Sequence, residues 1–210
     1  MCGRYSLSQG LSALAADMGF GPELFAVGEL GGEIQPLEPR YNIAPGQQAP
    51  VIVASGEEQG EAPLLKLMRW GLVPHWAKDV NIGFRMINAR SETVAEKPAF
   101  KGLLKSRRCL IPADGFYEWR KNPEKPKQKD PFRFAVGDGG VFTFAGLWAL
   151  WRPKEGQRLE SYTIITTTAN SVVADIHDRM PVILAGEDRL AWLDKSIDDP
   201  EQLKLLLAPY

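Results

Sequence analysis

Cysteine is scarce in this chain: Cys2 and Cys109 are the only two in 210 residues. Two cysteines build no disulfide framework, and in a reducing compartment both are expected as free thiols. Histidine is as scarce, at His75 and His177. Without tight Cys/His spacing no zinc site is expected. No apolar run approaches the roughly 20 residues that cross a bilayer. The opening MCGRYSLSQG lacks the charged and apolar regions of a secretory signal. The expected compartment is therefore the cytoplasm, with nucleoid association if DNA is bound. Net charge is nearly absent too, at −1, which taken alone argues against a nucleic-acid partner.

The distribution of charge argues the other way. Between Lys66 and Arg120 stand eleven Lys or Arg against five acids, so this segment carries +6 and the remainder −7. Such asymmetry fits a local anion-binding surface, and equally a solvated basic face.

The length suits one domain, and a hydrophobic fraction of 44% can supply its core. β-Branched and aromatic runs bounded by turn residues predict strands at Pro50–Ala54, Leu64–Trp70, Arg108–Ile111, Phe116–Arg120, Phe132–Val136, Val141–Trp148 and Tyr162–Thr168. Short helices are expected at Leu11–Met18, Ala95–Lys105, Ser171–Ile176, Glu187–Leu193 and Glu201–Leu207. Arg40–Gly46 (RYNIAPG) reads as an ordered loop, and Gly56–Glu61 and Asn122–Lys129 as hairpin loops. The fold class is α+β: a mostly β single domain, a twisted sheet or partial barrel with flanking short helices.

Cys2 is the most informative residue for chemistry. Initiator methionine is ordinarily removed before a small second residue, and the mature chain would then begin with a cysteine bearing a free α-amine. Reference pKa values of about 7.7–8.0 for the amine and about 8.5 for the thiol leave both partly nucleophilic at neutral pH. Together they form a 1,2-aminothiol. Its amine condenses with an aldehyde to a Schiff base, and its sulfur closes a five-membered thiazolidine. Read alone, a cysteine at position 2 ranks first as a chance occurrence.

Other segments hold candidates whose functional and structural readings both stand. Arg4 sits two residues from Cys2, where a guanidinium can pair with phosphate. WGLVPHW ends in Trp76, whose Pro-flanked turn favours exposure, while Trp70 reads as core. MINARSET offers the Asn88 amide and the Arg90 cation. In IPADGFYEW, Glu118 lies in an apolar strand, where burial raises a carboxyl pKa towards general acid–base use; a buried ion pair is the alternative. In DIHDRMP, His177 has a reference pKa of about 6.5 that suits proton transfer. Cys109 reads as an inert core thiol.

Taken in order, MCGRY, RYNIAPG, WGLVP, INARSET, IPADGFYEW and DIHDRMP resemble the SRAP family, the SOS-response-associated peptidases, over residues 2 to about 184. The resemblance implies a single mostly β domain with a DNA-binding channel. Its partner would be single-stranded DNA with abasic sites, bound by a monomer, with no metal, organic cofactor or membrane involved. It implies that processed Cys2 joins the ring-opened aldehyde of the lesion, with Asn88 hydrogen-bonding at the crosslink. Glu118 would be the acid–base carboxylate, and His177 would assist opening of the sugar and reversal. Arg4, Arg90 and Arg179 match phosphate-contacting positions, and Asn42, Pro45 and Trp76 match positions lining the channel. It also implies a strand after the final helix. This chain ends at Ala208–Tyr210, so that strand is expected to be absent or divergent.

Two other classes of function remain open from the residues. One is a cysteine peptidase with Cys2 as nucleophile and His177 as base, acting on its own N-terminus or on other peptides. The other is a non-catalytic module that binds single-stranded DNA, which leaves Cys2 and Glu118 without a role.

Overall fold

The computed structural model describes residues 2–21, 27–30, 33–55, 62–125, 127–153 and 156–210, with the backbone alone at 27–30 and 33–36. Met1 and the expected loop at 56–61 lie outside the described residues. The strands, in chain order, are β1 (Arg4–Leu7), β2 (Val27–Leu30), β3 (Glu33–Pro36), β4 (Arg40–Ile43), β5 (Gln48–Val53), β6 (Leu64–Trp70) and β7 (Asn88–Arg90). They continue with β8 (Arg108–Ala113), β9 (Gly115–Lys121), β10 (Lys129–Phe134), β11 (Phe142–Trp151), β12 (Leu159–Thr168), β13 (Arg179–Pro181) and β14 (Ile183–Leu184). Four short helices accompany them: α1 (Ser12–Asp17), α2 (Pro98–Ser106), α3 (Asp188–Leu193) and α4 (Pro200–Leu205).

The fold is α+β and mostly β. Strands β12, β11, β8, β5 and β6 pair in that order, and β6 closes onto β12 in parallel at Ser161–Arg69 and Tyr162–Trp70. The expected partial barrel is therefore a closed five-stranded one. Closure leaves no edge along these strands, and apolar residues on one face fill the interior, among them Val51, Met68, Ile111, Phe144 and Ile164. A second sheet, β10-β9-β1-β4, carries the start of the chain.

One aromatic side chain joins the two. Tyr5 of β1 is fully buried, edge-on to Trp70 at 5.2 Å and Phe144 at 5.8 Å between centroids. Its hydroxyl lies 2.7 Å from that of Tyr162 on β12, which satisfies both buried phenols. A second hub fixes β1 from the other side. Buried Asp114 accepts from Ser6 Oγ at 2.5 Å, from Ser8 N at 2.5 Å and from Arg133 Nη2 at 3.1 Å.

Several local expectations are corrected. Arg40–Ile43 is a strand rather than a loop, because β1 pairs with it, matching Tyr5 to Ile43. Four residues carry too little periodicity to show this, and the partner is distant in sequence. Residues 171–176 form successive turns instead of a helix. The Asn170 side chain accepts from Val172 N and Val173 N and holds the start of the stretch in a local turn. The helix expected from Ala95 begins at Pro98, whose missing N–H suits the first helical turn. Strand β10 starts at Lys129, three residues before its expected start at Phe132. Short strands β7, β13 and β14 are not legible, since two or three residues leave no alternation to read.

WGLVP has a backbone explanation. Gly71 adopts φ +112°, and a Cβ there would meet the Gly83 carbonyl oxygen at 2.6 Å. The turn after β6 thus lies directly against the 3-10 segment Val80–Arg85, which leads into β7. Trp70 Nε1 donates to the Ile87 carbonyl at 2.9 Å, one residue before Asn88.

Candidate active site at the start of the chain

Cys2 lies two residues before the start of β1 at Arg4, the strand whose Tyr5 joins sheet and barrel. The Cys2 carbonyl accepts from Asn88 Nδ2 at 2.9 Å. Asn88 is held in turn by β7, which pairs with β12 at Asn88–Ile164. The other amide atom, Asn88 Oδ1, is buried without a hydrogen-bond partner among the described residues. The Cys2 thiol is 0% exposed and donates to the Arg4 carbonyl at 3.7 Å. Burial, and then the charge of Glu118, push its pKa up. In this state it is a thiol, not a thiolate.

Glu118 reaches the same place from β9. The antiparallel register pairs Arg4 with Tyr117, so the residues before Arg4 run alongside Glu118. Glu118 is 2% exposed, and burial raises its carboxyl pKa. A raised carboxyl is equipped to give and take a proton closer to neutrality than an exposed glutamate.

His177 completes the group from the turn before β13. Its Nε2 lies 3.9 Å from Glu118 Oε2. Its Nδ1 is approached by both the Arg179 backbone N–H, at 3.0 Å, and Asp178 Oδ1, at 2.9 Å. These imply opposite protonation of Nδ1 in a neutral ring. The backbone donor is fixed, whereas Asp178 is 86% exposed. The fixed donor therefore decides: Nδ1 accepts, and a neutral His177 carries its proton on Nε2, towards Glu118.

The remaining candidates distribute unevenly. Arg4 is half-buried, with Nη1 3.4 Å from the Gly3 carbonyl. Arg90 is exposed at the end of β7. Asn42 is exposed on β4 and Pro45 half-buried in the following turn, on the flank of β1 opposite β9. Trp76 is 54% exposed, and Trp70 is core. Arg179 differs from the other two arginines. It is 8% exposed, and its guanidinium grips Glu92 at 2.5 and 3.0 Å and the Thr166 carbonyl at 2.6 Å. That clamp fixes the strand following His177. Glu92 lies in INARSET and Thr166 on β12, and no sequence signal joined them to Arg179. Cys109 is buried and its thiol pKa lies well above the ordinary value for the same reason.

The family described as SOS response associated peptidase (SRAP) matches residues 1–210. This chain belongs to the SRAP family. Its relatives within SRAP include the abasic site processing protein YoqW of Bacillus subtilis (strain 168). That protein is 43% identical over 210 residues, spanning 100% of this chain and 88% of YoqW. The abasic site processing protein HMCES of Rattus norvegicus is 35% identical over 201 residues, covering 80% of this chain and 57% of HMCES. A solved structure from Bacteroides thetaiotaomicron superposes with a TM-score of 0.81 at 28% identity, covering 100% of this chain and 88% of that one. Among the described residues no helix is long and apolar enough to cross a membrane. No group of three or more His, Cys, Asp or Glu among them is placed to hold a metal ion.

Proposed function

We propose that this protein senses and shields abasic sites in single-stranded DNA by forming a covalent crosslink through Cys2 after Met1 is removed. The observation that carries the reading is the convergence of Asn88 on the Cys2 carbonyl with Glu118 and His177 beside it. The relatives named as abasic site processing proteins support the same substrate.

Removing Met1 turns the Cys2 amide nitrogen into an amine. The nitrogen lone pair attacks the aldehyde carbon of the opened deoxyribose. Loss of one water gives the Schiff base. The Cys2 sulfur then adds to the imine carbon, and its proton passes to the nitrogen. Glu118 ferries protons in both steps. Asn88 Oδ1 is an acceptor for the amine. His177, with its Nε2 proton towards Glu118, assists opening of the sugar and, run backwards, reversal. Arg4 and Arg90 hold flanking phosphates, and Trp76 disrupts stacking beside a lesion that offers no base to read. Asn42 and Pro45 line the strand's path. If ring closure is slow, β-elimination from the Schiff base registers as lyase activity. Removal of Met1 by the protein itself would register as peptidase activity. No metal or organic cofactor enters these steps.

The test is incubation with single-stranded DNA carrying one abasic site, followed by denaturing electrophoresis. Wild type should give a shifted band, and Cys2→Ala and a form retaining Met1 should not. An equal shift from Cys2→Ala overturns the reading.

A further inference from the structure

The basic segment Lys66–Arg120 contributes few of its cations to the proposed centre. Several others collect around two adjoining cavities. One, of about 380 Å³, is lined by Lys66, Arg107, Arg108 and Lys195 around the half-buried ring of Trp148. The other, of about 260 Å³, lies under exposed Trp76 and is walled by Pro74, Leu103 and Leu150. Both volumes fall near the lower end of ligand clefts, about 300–1,000 Å³. No carboxylate among the described residues lines either one.

Arg107 belongs to both linings. Its guanidinium sits over the Trp148 ring, 4.4 Å from the centroid. It makes no side-chain hydrogen bond or ion pair among the described residues, so its N–H edge is available. Its neighbours are committed. Arg108 donates to the carbonyls of Trp192, Leu104, Lys105 and Asp194, and Lys66 pairs with Glu160 at 2.9 Å. They supply field, whereas Arg107 supplies donors. The apolar cavity adds a planar aromatic at its rim, the element that holds an unpaired base without reading it. Trp76 lies in the turn after β6, and β6 ends at Trp70, whose indole donates to the Ile87 carbonyl one residue before Asn88.

We infer that Arg107 and the cavities it divides hold the single strand flanking the lesion. One unpaired base enters the apolar cavity beneath Trp76, and its phosphate sits on Arg107 at the mouth of the basic cavity. The inference rests on the reading of the protein as a binder of single-stranded DNA, and extends that site along the strand.

The test uses the full chain and undamaged fluorescent oligo-dT of increasing length, so that binding is read without crosslinking. Two variants probe the two cavities. Arg107→Ala removes the phosphate contact. Gly102→Phe fills the apolar cavity: a Cβ at Gly102 meets nothing within 4 Å, and replacing helical glycine costs the helix nothing. Melting temperatures verify that both fold. Each variant should weaken binding of the longer strands roughly tenfold, with the loss fading on the shortest. Arg107→Ala should also lower the salt-dependence slope by about one. If wild type binds and crosslinks while both variants match it at every length, this inference fails and the proposed function stands. A loss as large on the shortest strand, or one seen only with free thymidine monophosphate, also overturns it. A wild type that neither binds nor crosslinks removes both.

Discussion

Glu118 Oε2, on β9, and His177 Nε2, in the turn before β13, stand 3.9 Å apart. One group is a carboxyl made more basic by burial, and the other has its tautomer set by a backbone amide. Proton transfer in this pair should therefore respond to substitutions in a graded, testable way.

Glu118→Gln should lower the rate of crosslinking by about 100-fold, within the usual contribution of a general acid–base. Because burial raises the carboxyl above its ordinary 4.5, the acid limb of the wild-type rate profile should bend at a higher pH than that. The bend should vanish in Glu118→Gln. A single-turnover rate–pH series measures both, and an unchanged bend would assign it to another group.

Asp178→Asn should change the rate less than twofold, while His177→Ala slows both crosslinking and reversal by at least tenfold. The exposed carboxylate only shadows a tautomer that Arg179 N–H already sets. Equal losses in the two variants would show that Asp178 orients the ring.

Glu92→Gln should slow crosslinking without altering affinity for undamaged single-stranded DNA. The Arg179–Glu92 clamp fixes the strand after His177, so loosening it should misplace His177 and leave the proposed phosphate contacts alone. Rates at saturating DNA, set beside equilibrium anisotropy, separate the two effects. A loss confined to affinity would return Arg179 to the phosphate-binding set.

Asp114→Asn should destabilise the fold by about 2–3 kcal/mol and lower Tm by roughly 5–10 °C for a chain of this length. Burial raises the Asp114 pKa, but hydrogen bonds from Ser6, Ser8 and Arg133 outweigh it and hold the carboxyl below its ordinary 3.8. Its contribution is therefore complete above that value and disappears as pH falls through the lower folded value. Denaturant melts from neutral pH down to about pH 3 should show the gap between variant and wild type narrowing.

Strands with a clear run of β-branched and aromatic residues, such as Leu64–Trp70, were legible because one face of each is core. The candidate site was legible in its residues but not in its scaffold. Cys2, Asn88, Glu118 and His177 carry chemistry that their residue types announce. Asp114, Glu92 and Thr166 hold them in place through tertiary contacts spanning 13 to 108 positions. No local pattern encodes such contacts. Arg179 illustrates that gap: the sequence offers it as a phosphate contact, and nothing local to it points to its pairing with Glu92.

A chain terminus is ordinarily the loosest part of a protein. Here Tyr5 is locked among barrel aromatics three residues from Cys2, whose carbonyl is tied to Asn88. For the crosslinking proposed above, ordering Cys2 thus costs its entropy once, during folding, and not again at each encounter with DNA. Slack introduced into this anchor, even far from any reacting atom, would therefore appear as a slower capture step in a protein that still melts normally.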